Sequence, residues 1–142
     1  MAALSQTYQT NILTHSFLTA SWTKPTTLAV ALVTSAVTNT QTGATVTECS
    51  NANGYVRQAV NPSNSNWSIS TVSGYIVATN VNAITFPVAT GSGWGTVVGI
   101  ALVDSATYGS GNVVVFGSIA SQTVAVNNQV VFNAGSITFQ IQ

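Results

Sequence analysis

Five side chains in this 142-residue sequence carry a formal charge or titrate near neutral pH: His15, Lys24, Glu48, Arg57 and Asp104. General acid–base catalysis normally uses two groups whose environments separate their pKa values. Glu48 and Asp104 fall in different predicted hairpins, and no sequence pattern brings these two carboxylates together. Asp104 precedes a glycine-rich turn, where aspartate commonly accepts hydrogen bonds from nearby backbone N–H groups. We therefore predict no catalytic residues and no enzyme activity.

Patterns for a nucleophile, a metal or a phosphate group are equally weak. Cys49 and His15 could supply a nucleophile and a base, but no recognisable acid orients the imidazole. One Cys and one His do not complete a zinc site. The Gly-x-Gly-x-Gly pattern at 91–95 is followed by a predicted strand at 96–103, whereas a phosphate loop leads into a helix. We predict that residues 91–95 form a turn, and we predict neither a metal site nor a cofactor for the protein.

The composition favours association with other proteins. Charged residues make up 3% of the chain, several-fold below the roughly 25% that is usual, while the apolar fraction of 46% is ordinary. Zero net charge leaves little electrostatic repulsion between copies. One Lys and one Arg can neutralise few phosphates, so we predict no nucleic-acid binding. No secretory signal or membrane-spanning run is recognised, so we expect no membrane association.

The elements that position these residues are one helix and many short strands. Apolar residues recur every three to four positions in a segment without Gly or Pro, which predicts a helix over 3–18: Leu4, Tyr8, Ile12, Leu13 and Phe17. Runs rich in Val, Ile, Thr and aromatic residues predict strands: 28–35, 55–60, 67–70, 75–79, 83–86, 96–103, 112–120, 123–126, 129–133 and 136–141. The predicted fold is mainly β, an antiparallel β-sandwich of jelly-roll or Ig-like type, with a helix and arm over 1–27 and the sandwich over 28–142.

Asn53-Gly54 is the clearest turn signal, because a type I′ turn needs positive φ at both central residues. It predicts a hairpin between strands at 45–48 and 55–60. That hairpin would place Glu48 and Arg57 side by side across the strands. We expect an exposed ion pair, which contributes about 0–1 kcal/mol.

Three tryptophans, Trp22, Trp67 and Trp94, allow more than one interpretation. Indole rings fill cores, seal protein interfaces and stack on sugars. All three interpretations remain open from the sequence. The candidate protein-interface residues are Trp22, Phe17, Trp67 and Trp94.

Two segments carry a resemblance to a known family: Gly-Tyr-Val-Arg at 54–57, and the stretch from Phe86-Pro87 to Trp94-Gly95. With the Val-rich pieces between them, the sequence from Leu4 to Ile141 resembles small tailed-bacteriophage virion proteins, often labelled tail fibre or minor structural protein. The resemblance implies a β-sandwich component of the particle without enzymatic activity.

The leading hypothesis is a capsid decoration or cement protein, made in the host cytoplasm and placed on the outer capsid surface of the virion. It would be a homotrimer that stabilises the head by bridging capsomers of the major capsid protein. The chain lacks the elongated repeats of a fibre shaft, and a neutral contact depends little on ionic strength. The alternative is a tail-fibre or head-spike component, with Trp67 or Trp94 stacking on host-surface glycan.

Overall fold

The computed structural model describes residues 2–140 and confirms a mainly β fold of antiparallel strands with one α-helix. The helix, α1, spans Gln6–Phe17, and a short 3-10 helix spans Asn51–Asn53. The strands of the described residues are β1 (Ala3–Leu4), β2 (Ala29–Val33), β3 (Gln58–Ala59), β4 (Trp67–Val72), β5 (Tyr75–Asn80), β6 (Ile84–Val88), β7 (Gly95–Val103), β8 (Val113–Val124), β9 (Gln129–Phe132) and β10 (Thr138–Gln140).

The strands form three sheets. The largest has the order β1-β8-β7-β2-β3, the second has the order β10-β5-β4, and β6 pairs with β9 in the third. The end of the strand predicted over 136–141 is Ile141, which lies outside the described residues, as do Met1 and Gln142 at the limits of the predicted domains. The division into an arm over 1–27 and a sandwich over 28–142 stays a prediction.

Strand β2 lies between β7 and β3 in the five-stranded sheet, and all five of its residues are buried. Successive side chains of a strand point to opposite faces of the sheet. Val30 and Leu32 join the larger core cluster, whereas Ala31 and Val33 join a smaller cluster on the other face. The smaller cluster is closed by Val46 from the loop that follows β2. Burial on both faces explains why this strand is a continuous apolar run.

The larger core cluster lies between the five-stranded sheet and the smaller sheets, which is the packing of a sandwich. Its centre is aromatic. The ring of Tyr55 stacks on Phe86 at 6.1 Å between centroids and meets the edge of Trp94 at 5.4 Å. Such pairs add about 0.5–1.5 kcal/mol beyond their burial.

The helix begins later than the sequence predicts. Ala3 and Leu4, which were predicted to be helical, instead pair with Phe116 and Val115 of β8. Ser5 then ends the strand and caps the helix, because its hydroxyl accepts a hydrogen bond from the backbone N–H of Tyr8 at 3.3 Å. Tertiary pairing with β8 therefore overrides the local helical pattern.

The prediction of a hairpin at Asn53-Gly54 is wrong. Asn53 ends the 3-10 helix, and Gly54 follows in the left-handed conformation, with φ of 78°. The Asn53 amide donates to the carbonyl of Gly93 at 2.7 Å, so a tertiary contact holds this segment instead of a strand pair. A hairpin turn with positive φ at both central residues occurs at Ser73 and Gly74, between β4 and β5.

Candidate functional site

Glu48 and Arg57 form an ion pair inside the protein, with side chains 1% and 0% exposed. The guanidinium Nε lies 3.1 Å from both carboxylate oxygens, and Nη2 also donates to Oε1. The expectation of an exposed pair is therefore wrong. The physical reason is that the loop after β2 folds back beside that strand, where Cys49 N–H donates to the carbonyl of Leu32 at 3.1 Å and draws Glu48 into the interior.

The remaining N–H groups of Arg57 bind three backbone carbonyls. Nη2 donates to Gly43 at 2.8 Å, while Nη1 donates to Ser105 at 2.9 Å and to Ser110 at 2.7 Å. These carbonyls belong to the loop that follows β2 and to the loop between β7 and β8. A planar fork of five donors suits such a cluster of acceptors. Arg57 thus fixes two loops to each other at one end of the sandwich.

Tyr55 completes this cluster from the core side. Its hydroxyl donates to Glu48 Oε2 at 3.0 Å and accepts the backbone N–H of Leu32 at 2.8 Å. Burial, with the nearby Glu48 charge as a further cause, raises the pKa of the Tyr55 phenol far above its ordinary value. Burial also raises the pKa of the Cys49 thiol to about 11, so this thiol is protonated and unreactive at neutral pH.

The second carboxylate has a local role. Asp104 accepts the backbone N–H of Asn112 at 2.6 Å and the Asn112 side-chain amide at 3.1 Å. This confirms the predicted turn role of Asp104. Within residues 2–140, every buried side-chain nitrogen or oxygen has a hydrogen-bond partner, and no cluster of three metal-ligating groups is present. The cluster around Arg57 is therefore a saturated structural network.

The first pair of candidate interface residues lies near the helix. Phe17 is 79% exposed at the last turn of α1. Trp22 is half-buried, and its ring meets Tyr8 edge-on at 5.4 Å between centroids. The Trp22 backbone N–H donates to Nδ1 of His15 at 3.2 Å, so the one histidine holds the following segment beside the helix.

The other two candidates lie in or against the core. Trp67 is half-buried and packs near Phe139, and its indole N–H donates to the carbonyl of Val60 at 2.8 Å. Trp94 is 4% exposed and donates to the carbonyl of Asn53 at 2.8 Å. The four candidates do not form one patch, and their assignment to a protein interface stays a prediction.

The hairpin of β4 and β5 carries apolar surface that the sequence analysis missed. Ile69 is 68% exposed, Val72 53%, Tyr75 45% and Ile76 54%. Ile69 and Ile76 share one face of the hairpin, while Val72 and Tyr75 pair on the opposite face. Two signals could have identified this hairpin, namely the Ser-Gly turn dipeptide and the absence of any charged residue over 58–103.

No helix within residues 2–140 is long and apolar enough to cross a membrane. A search of the curated proteins finds no match. A protein-family model described as "Podophage GP4 fiber I protein gp80" matches residues 3–140. The predicted resemblance to phage virion structural proteins is thus confirmed, and the chain belongs to the podophage GP4 fiber I protein gp80 family, a fibre-type structural family of the virion.

Proposed function

We propose that this protein is a structural subunit of a phage fibre, and that it acts by packing against other subunits through neutral, apolar surface. The observation that carries the proposal is the exposure of large apolar side chains on a surface with almost no charge. Exposed apolar groups gathered into patches are typical of protein interaction sites. The family description supports the fibre, which was the alternative hypothesis from the sequence, more than capsid decoration.

One such group of side chains lies at the end of α1. Leu13 is 57% exposed, Phe17 79% and Leu18 66%. Leu13 and Phe17 are four positions apart and therefore share a face of the helix, while Tyr8 on the other side of α1 is buried. The helix thus offers apolar side chains both to its own sheet and to the outside. The β4–β5 hairpin is the second group.

Charge supports the same proposal. Burial of the Glu48–Arg57 pair removes two of the four formal charges from the surface. Lys24 is exposed and Asp104 is half-buried. Two copies can therefore approach with little repulsion at any ionic strength.

The glycan part of the alternative hypothesis has less support. A sugar platform needs an open aromatic face, whereas Trp94 is buried and Trp67 is half-buried against Phe139. Exposed aromatic side chains include Phe17 and Tyr75, which are not the tryptophans that the glycan hypothesis names. The homotrimer, the contact with the major capsid protein and the place on the outer capsid surface stay predictions.

Labelling of intact virions with gold-coupled antibodies against the chain tests the proposal. We expect gold along the fibres, with none on virions that lack them. Gold distributed evenly over the head, together with co-sedimentation of the purified protein with undecorated capsids, would contradict the fibre assignment and support decoration. Binding to a glycan array that disappears in Trp67→Ala would instead support the receptor hypothesis.

A further inference from the structure

Among the described residues, β4 is the longest strand that ends a sheet, and its pairing is unbroken. It pairs with β5 on one side only, through six consecutive residue pairs without a register shift. The other edges are shorter or irregular. Strands β1 and β3 have two residues each and β10 has three. Strand β6 contains Pro87, its pairing with the four-residue β9 has a register shift, and the pairing of β8 with β7 is shifted as well. The backbone N–H of Trp67 donates to the carbonyl of Ser63 at 3.0 Å, so the edge that is left for another strand is Ser68–Val72, where N–H and C=O groups that point away from β5 are unpaired.

The β4 edge also lacks the usual protection against pairing. Natural proteins block free edges with Lys, Pro, a bulge or an inward charge. The segment Trp67–Val72 contains none of these, and no charged residue occurs anywhere over 58–103. The turn at Ser73 and Gly74 projects into open space, since a Cβ added at Gly74 would meet nothing within 4 Å. A partner strand therefore meets neither charge nor obstruction at the hairpin end.

We propose that β4 pairs with β4 of a second copy, antiparallel, so that two three-stranded sheets join into one sheet of about six strands. An identical edge is the partner whose length matches, and a two-fold axis lets each copy offer the same backbone groups to the other. Self-contact brings no like charges together at this edge. Ile69 then packs beside the partner strand and loses much of its 68% exposure. This inference rests on the proposed assembly role.

The mass of the purified full-length protein, measured by sedimentation over a range of concentrations, tests the contact. We expect a dimer, and we expect Ile69→Lys to raise its dissociation constant by at least about tenfold, because lysine at an edge opposes pairing. Ile69 is largely exposed, so this variant should fold. Val126→Lys is the matched control, since Val126 is 46% exposed in the turn after β8, and it should dimerise as the wild type does.

Crosslinking provides a second measurement. Ser70 lies near the middle of β4, and its backbone N–H and C=O face Val77 of β5, because the two-residue turn makes Val72–Tyr75 a hydrogen-bonded pair and the pattern alternates along the ladder. With the two-fold axis beside Ser70, its Cα faces that of the second copy in a non-hydrogen-bonded pair at about 4.5 Å, within disulfide range. We expect Ser70→Cys to form a disulfide-linked dimer under mild oxidation, while Ser121→Cys, an exposed control on β8, does not. The native Cys49 is buried and does not compete.

A monomeric wild type, or equal association of Ile69→Lys and Val126→Lys, would overturn the inference. A trimer that is insensitive to Ile69→Lys would overturn it as well, because a two-fold contact joins only two copies. These outcomes are separate from the fibre assignment, since antibody labelling reports the place of the chain on the virion whatever strand the copies use.

Discussion

Replacement of Arg57 by methionine is the sharpest test of the buried network. The substitution keeps an unbranched side chain but removes all of the N–H groups that Arg57 donates to Glu48 and to three backbone carbonyls. Among the described residues, the Glu48 carboxylate would keep one side-chain donor, the Tyr55 hydroxyl. A buried charge that loses its partner costs about 3–5 kcal/mol. We expect Arg57→Met to lower the free energy of unfolding by that amount.

The size of this loss makes it measurable by urea unfolding followed through tryptophan fluorescence. The unfolding free energy of small proteins falls by about 1–3 kcal/mol per molar urea. With a slope of about 2 kcal/mol per molar, a loss of about 4 kcal/mol lowers the urea midpoint by about 2 M. The control is Lys24→Met, an exposed cation, which should change the free energy of unfolding by no more than about 0.5 kcal/mol.

A double variant separates the ion pair from simple packing. Glu48→Leu combined with Arg57→Met removes both charges, and apolar replacement of a whole buried pair is often neutral or stabilising. We expect the double variant to be more stable than Arg57→Met alone. A loss below about 1 kcal/mol in Arg57→Met, or a double variant as unstable as the sum of the single changes, would refute the reasoning.

Three further predictions concern the core and the turns. Tyr55→Phe leaves the buried N–H of Leu32 without an acceptor and should cost about 1–3 kcal/mol in urea unfolding; a change below about 0.5 kcal/mol would contradict it. The raised pKa of Cys49, about 11, means that the protonated thiol favours the folded state, so stability should fall as pH rises from about 9 toward 11. In Cys49→Ala this alkaline fall should be smaller, and an unchanged pH profile would refute the assignment. In Gly93→Ala the added Cβ would overlap a backbone carbonyl of β8, whereas in Gly74→Ala it meets open space. Both glycines have positive φ, so each variant should lose about 1–2 kcal/mol of unfolding free energy to backbone strain, and the loss measured by urea unfolding should be clearly larger for Gly93→Ala. Equal losses would contradict the packing around Gly93.

Much of the fold class could be predicted from local pattern. The β-branched runs predict strands because such side chains fit a pleated surface, and the apolar segment at Ala29–Val33 is indeed a strand, buried on both faces. The turn role of Asp104 was predictable for a similar reason, since its partner Asn112 lies eight positions away across one turn. The helix was predicted too, but its start was not, because β1 pairs with β8, a strand that is distant from it in the sequence.

The sequence by itself determined the neutral character of this protein, its β class and its resemblance to phage virion proteins, because these depend on which residues are present and on spacing along the chain. Only the tertiary structure decided that Glu48 and Arg57 lie inside, that Asn53 serves the contact with Gly93 instead of a hairpin, and that the β4 edge stays bare. Burial and edge exposure depend on which distant segments pack together, and spacing along a single chain does not encode those contacts locally.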